Sequence, residues 1–381
     1  MNLKVQWFRH THENRNDLLR FGFMRMHYRG EIEYIEKEIG DAAGFGFSDA
    51  VINYPDPRHL SFIGVQSGKS KVRCIVDNED SFALISPLLT EADVYFCAGY
   101  NSDFFEKKQF VNCYSWQDEI DVKGYRELIE QKIERLGSHF NKIKRFIPIA
   151  PNQGASPAIG GIRQKAENIK HRIRRATGKG ADFSAAYQAF EDRQLFLATL
   201  RDEQMAYDVV LNDSLWGWPQ HRINLHKQLQ ELHHRGYQIH SKLNWNPPVD
   251  IDGSSVKNID PTGFPIITSL ISDNYEKMLA QSRLAVFACG FHWGWRNIMM
   301  LALQAGIPVL TDRLLTEPYF SMDEFKIFQQ EDHDWRSVED ILKHIDRETW
   351  LSYKEHNQKV YDRYMLPEKV AHYFLTTAFS D

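Results

Sequence analysis

At 381 residues the chain is long enough for a substantial core and for two domains, since single cores seldom grow past about 250 to 300 residues. Its 46 Lys and Arg against 51 Asp and Glu give a formal net charge of -5, which excludes a global attraction for nucleic acid or an anionic membrane and leaves only local ones. It opens on no secretory pattern and holds no run of about 18 apolar residues, so a cytoplasmic protein is expected.

In chain order, residues 3–8 predict a strand, followed by the polar stretch 9–15. Residues 31–39 predict a helix stopped by Gly40. Strands are expected over 60–66, 71–77 and 93–97, with a short apolar segment at 82–89, a helix over 125–136 and an apolar run at 145–150. Gly64-Val-Gln-Ser-Gly-Lys-Ser70 is one residue short of a phosphate loop and precedes a strand rather than a helix, so a hairpin turn is expected. The four cysteines, Cys74, Cys97, Cys113 and Cys289, lack metal or redox spacing; three lie in strand-like runs and read as buried free thiols.

Composition changes at residues 151–161, rich in Gly, Pro and Ser, and at 162–180, which carries seven Lys or Arg and one Glu. A solvated linker helix is the plain interpretation of that basic stretch, and peripheral contact with an anionic membrane is the functional one. An apolar strand is expected over 194–200, then a helix placing Leu225, Leu229 and Leu232 on one face, and a strand over 237–243. Residues 244–263 resemble loop and 265–270 are apolar again. Asp273 and Glu276 suggest a capping box opening a short helix. Ser337 with Asp340 suggests a cap for a helix over 338–345, and a further helix is expected over 348–364 before Pro367.

The segment from Leu284 to Asp312 is the most informative. Its first six residues lack polar alternation, as a strand buried on both faces requires. Ile298, Leu301, Ala302 and Ala305 then fall at helical spacing, Gly306 supplies a C-cap and Pro308 ends the helix before a second strand. A strand, helix and parallel strand place a ligand site at the first turn, beside the helix N-terminus. His292, Trp293, Trp295, Arg296 and Asn297 occur there, and Asp312 ends the next strand on the same side. The plainer alternative makes the tryptophans core or interface residues and Arg296 half of a structural ion pair.

Gly290, Arg296, Gly306, Pro308 and Asp312, followed by Asp323-Glu-Phe-Lys-Ile-Phe328, resemble the second-domain signature of GT-B glycosyltransferases, most closely the exostosin-type branch. The resemblance covers about 45 residues. It departs from the pattern at Leu301, where many such enzymes place a ribose-binding Glu, and at Trp293, where the earlier Glu of E-x7-E would fall. The resemblance implies an α/β fold of two Rossmann-like domains facing a cleft: an acceptor-side domain over 1–160, a basic connector over 161–192, a donor-binding domain over 193–355, and a helical segment over 356–381 crossing back. It implies transfer of a sugar from a nucleotide-activated donor to a carbohydrate or lipid-linked glycan acceptor, inverting in the absence of E-x7-E.

For that chemistry the donor-binding candidates are Arg201, Gly290, His292, Trp293, Trp295, Arg296, Asn297 and Asp312, with Arg296 foremost because a planar guanidinium bridges phosphate oxygens. The catalytic base is sought among His10, His12, Glu13 and Asp17, where ordinary turn hydrogen bonding is the competing role. His10 and His12 lack a second pair of ligands at zinc-like spacing, so no metal is expected, nor any cofactor besides the nucleotide-sugar substrate. No nucleic-acid partner is expected. The missing carboxylates keep two alternatives open: a non-catalytic carbohydrate- or nucleotide-binding protein, and another nucleotide-sugar enzyme such as an epimerase.

Overall fold

The computed structural model describes residues 3–10, 15–79, 81–111, 114–117, 119–148, 181–214, 218–244, 274–290 and 296–380. The fold is α/β, with two sheets and flanking helices. The first sheet holds β1 (Leu3–Arg9), β2 (Glu33–Glu38), β3 (Leu60–Ser67), β4 (Ser70–Asp77), β5 (Val94–Cys97) and β6 (Ile143–Arg145), in the order β2-β1-β3-β4-β5-β6. Only β3 runs against its neighbours. The stretch resembling a phosphate loop is the β3–β4 hairpin, with Ser67 opposite Ser70, as expected from the strand that follows it.

Its helices are α1 (Asp17–Tyr28), α2 (Asp49–Ile52), α3 (Ser102–Phe105) and α4 (Glu119–Leu136). Residues 82–84 and 87–91 form 3-10 turns. The helix expected over 31–39 is instead β2. Its residues alternate in burial, and the inward carboxylate of Glu36 is held by Arg20 of α1 at 2.7 and 2.9 Å and by the Tyr34 hydroxyl at 2.8 Å. That partnership lets an acidic segment enter a sheet, because a buried charge survives only when paired and hydrogen-bonded.

The strand expected over 194–200 is the end of a helix, α5 (Ser184–Leu200), which runs through residues 192 and 193. Phe190, Leu197 and Leu200 are its buried positions, whereas Leu195 is 68% exposed and Phe196 41%. The apolar run therefore splits between two faces, which a strand in a sheet core would not do. The helix ties to both units: Phe190 packs on Phe21 of α1, and Arg193 pairs with Glu276.

The second sheet holds β7 (Tyr207–Ser214), β8 (Ile239–Asn244), β9 (Ser282–Phe287), β10 (Val309–Asp312) and β11 (Ile327–Gln330), all parallel, in the order β11-β10-β9-β7-β8. Around it lie α6 (Pro219–His234), α7 (Tyr275–Ala280), α8 (Asn297–Ala305), α9 (Ser337–His344) and α10 (Arg347–Tyr364). The strand, helix and strand expected between 284 and 312 are β9, α8 and β10. Gly306 caps α8 at φ 96°, a left-handed conformation that glycine adopts without strain. The apolar segment at 265–270 and Asp273 of the capping box lie outside the described residues. The cap drawn from Ser337 and Asp340 does not form: Arg336 is the N-cap, and the Ser337 hydroxyl is buried without a partner.

The last helix, α11 (Pro367–Ala378), returns to the first unit. Phe374 stacks on Phe96 of β5 at 4.4 Å and meets Phe23 of α1 edge-on at 5.4 Å. Gly22 lets the two helices approach this closely: a Cβ there would collide with the Pro367 carbonyl and lie 2.9 Å from the Ala371 Cβ. Gly22→Ala is expected to lower folding stability by roughly 1–3 kcal/mol through overpacking. Thermal unfolding checks this, and an unchanged midpoint would contradict the close approach.

Candidate functional site

The strand order of the second sheet reverses between β7 and β9. Helices leaving those strands diverge to opposite faces, so a crevice opens beyond their C-terminal ends. Asp213, next to last in β7, stands in it with a fully buried side chain. The chain then enters α6 through Trp218, in a left-handed conformation with its indole N–H donated to the Gly290 carbonyl at 3.1 Å, and Pro219 at the first helical position. This entry delivers Arg222 to Asp213. One guanidinium nitrogen donates to both carboxylate oxygens at 2.8 and 2.6 Å, the other to the Cys289 carbonyl at 2.8 Å.

Arg296, just before α8, donates to the same carboxylate at 2.7 Å and keeps 21% of its side chain exposed. Two guanidinium groups therefore share one carboxylate. Burial pushes the Asp213 carboxyl up, but Arg222 and then Arg296 outweigh it and hold the group well below the usual carboxylate range. Burial holds His226 down to about 4, with Arg222 and Arg296 adding to the effect against Asp213, so it is neutral at neutral pH. The cluster thus keeps one surplus positive charge, carried outward by Arg296. The first N–H groups of α8, at Asn297 and Ile298, lie beside it without intrahelical acceptors.

A second constellation occupies the end of β10. Asp312, fully buried, accepts the Cys289 N–H at 2.8 Å, the Gln330 side-chain amide at 2.7 Å and the Nε2 of His221 at 2.9 Å. The Nδ1 of His221 lies 3.0 Å from the Nδ1 of His333, in the loop after β11. Burial and the neighbouring His221 lower the His333 pKa, against Asp312. Trp116 of the first unit stacks on His221 at 4.0 Å and 12°.

Around this stack the C-terminal ends of both sheets meet. Asn101 donates to the Leu315 carbonyl at 2.7 Å, Ser102 to Glu317 at 2.7 Å, Tyr114 to the Arg313 carbonyl at 3.1 Å and Ser115 to the Glu331 carbonyl at 3.0 Å. At the same end of the first sheet, His10 bonds the Leu60 carbonyl through Nε2 at 2.9 Å, leaving its buried Nδ1 without a partner. The Oδ1 of Asn16 and both amide atoms of Asn78 are also buried and unpartnered. Asn16 donates to Ser61 and Asn78 is bonded through its backbone to His59, so these atoms gather about the ends of β1 and β4 and the start of β3.

The residues expected from the sequence are distributed unevenly. Arg296, Gly290, Asn297 and Asp312 come together at the crevice. Arg201 does not: it caps α5, pairs with Asp362 at 2.6 Å and bonds the Gln304 carbonyl at 3.1 Å, before β7 and at the opposite end of the sheet. It follows a helix rather than a strand, which is why it misses the strand ends. Asp17 is buried at the start of α1, 3.8 Å from Arg20 in the cluster that holds Glu36. His12, Glu13, His292, Trp293 and Trp295 lie outside the described residues, as do Cys113 and the basic residues 162–180. Cys74, Cys97 and Cys289 are buried free thiols, as expected.

Sequence reasoning missed Asp213, Arg222, His221, His333 and Trp116. The usable signal was an Asp closing an apolar strand, with His221-Arg222 two residues beyond a Pro that starts a helix. Among the described residues no group of three His, Cys, Asp or Glu side chains is arranged to hold a metal ion, and no helix is long and apolar enough to cross a membrane.

No family model and no curated protein matches the chain. Solved structures similar to it include WaaG, a glycosyltransferase involved in lipopolysaccharide biosynthesis, at 11% identity and a TM-score of 0.38 over 97% of each chain. A putative UDP-N-acetylglucosamine 2-epimerase from Listeria monocytogenes matches at 12% identity and a TM-score of 0.32, over 98% of this chain and 95% of that one. The GtfA/B complex matches at 14% identity and a TM-score of 0.33, over 46% of this chain but only 36% of that one.

Proposed function

We propose that the chain is a glycosyltransferase that binds a nucleotide-activated sugar at the β7–β9 crevice and transfers the sugar to a hydroxylated acceptor held at the facing edge of the first sheet. The observation that carries this proposal is the surplus guanidinium of Arg296, shared with Asp213 and Arg222 beside the α8 N-terminus. A partly exposed cation with adjacent free backbone N–H groups suits the phosphates of a nucleoside diphosphate. Leu301, where a ribose-binding carboxylate would stand, is buried in the core, so the ribose needs other partners.

Isothermal calorimetry against UDP, GDP, CMP and dTDP and their sugars tests the proposal. One nucleotide is expected to bind saturably, more weakly as salt is raised, because the contact is charge on charge. No heat from any of them overturns the donor site. Binding without hydrolysis or transfer to a panel of glycans favours a binding protein instead.

A further inference from the structure

The proposed transfer needs a group that removes the acceptor proton, and the polar loop after β1 supplies none among its described residues. Asp17 belongs to the Arg20–Glu36 cluster, and the free nitrogen of His10 is sealed from the surface. The hydrogen bonds at the end of β10 assign protons instead. Asp312 already receives N–H groups from Cys289 and Gln330, and a side chain that accepts from its other neighbours receives a third from His221. His221 therefore carries its proton on Nε2 and offers a lone pair at Nδ1. His333, a half-buried residue, must then donate from its own Nδ1, which leaves its Nε2 unprotonated.

We propose that Asp312, His221 and His333 form a proton relay, with His333 Nε2 as the general base that takes the proton of the hydroxyl attacking the sugar. This rests on the transfer reading above. The hydroxyl O–H bond breaks as a bond from Nε2 to hydrogen forms, and the oxygen pair bonds to the sugar carbon. The carbon–oxygen bond to phosphate breaks with its pair on the departing phosphate. The Nδ1 proton of His333 passes to His221 Nδ1, which brings the positive charge against Asp312. A base oriented by a second group that is itself held by a buried carboxylate is a recurring device of activated nucleophiles.

Position favours this role. Cys289 donates its backbone N–H to Asp312 and accepts from Arg222 at its carbonyl, so one residue joins the relay to the phosphate cluster. Trp116 covers His221 from the first unit, and Trp335 donates to the His221 carbonyl at 3.3 Å from beneath. The charges acting on His333 are Asp312 and Asp334, which favour its protonation, and His221, which opposes it together with burial. At neutral pH the outer nitrogen is free to accept.

Histidine-selective 15N spectroscopy on the intact protein reads the tautomers directly. The expected result is His221 protonated on Nε2 and His333 on Nδ1, with a single proton taken up by the pair on acidification. His333 protonated on Nε2, or two imidazoles titrating independently, overturns the relay. His333→Gln, at a partly exposed position, is expected to cost about 100-fold in hydrolysis of UDP-glucose, GDP-mannose or dTDP-glucose, whichever the protein turns over, and to remove the acid limb of its pH profile. The dissociation constant of that donor is expected to stay within about twofold. Full turnover with the acid limb intact overturns the base. The assigned tautomers without turnover of any donor sink the transfer reading and leave the relay standing as a proton site.

Discussion

Arg222→Ala is expected to destabilise the second α/β unit by about 3–5 kcal/mol, because it strands a buried carboxylate. Asp213 has no exposed side-chain surface, and Arg222 supplies two of the four hydrogen bonds described to it, the others coming from Arg296 and the Ser214 N–H. Removing the arginine also frees the Cys289 carbonyl from its donor. In a unit of this size the loss corresponds to a fall of roughly 10 °C in thermal midpoint. The sign with pH follows from the depressed carboxyl of Asp213. The stabilisation is present above the ordinary Asp range and disappears as pH falls through the lower folded-state value. The deficit of the variant should therefore shrink in strong acid. Asp213→Asn combined with Arg222→Ala should cost less than the two single changes summed. An additive pair would show that the two groups do not depend on one another.

Arg296→Ala is expected to behave differently. Arg222 still neutralises Asp213, and the lost side chain is partly exposed, so stability should change by about 1 kcal/mol or less. Donor binding should suffer instead. A charge-assisted hydrogen bond of about 1.5–3 kcal/mol corresponds to a loss of roughly 10- to 150-fold in affinity. Calorimetry of the responding nucleotide against wild type and variant reads this. Nucleotide affinity unchanged by the substitution would remove Arg296 from the phosphate contact, and a collapse in stability would make it a structural cation.

The contrast between these arginines explains what could be read from the chain alone. Residues 284–312 were legible because a strand buried on both faces and an amphipathic helix closed by glycine write their burial into local pattern. The strand at 33–38 was not, since its inward Glu36 depends on Arg20, sixteen positions away. Residues 194–200 form a continuous apolar run, and only the exposure of Leu195 and Phe196 reveals a helix with one face turned outward. Arg296 stood out because it sits inside the legible motif. Arg222 and His221 lie in a separate helix and acquire their meaning only when β7, β9 and β10 lie side by side. Trp116 joins them from the other unit, a contact that no sequence periodicity records.

The return of α11 to the first unit also bears on the order in which the chain can fold during synthesis. Domains generally fold from the N-terminus as they leave the ribosome. Here Phe23 and Phe96, in the first hundred residues, wait for Phe374 to cover them. Nascent chains stopped before residue 367 should leave that aromatic surface open to holdase chaperones, and release from them should come only once the last helix has emerged.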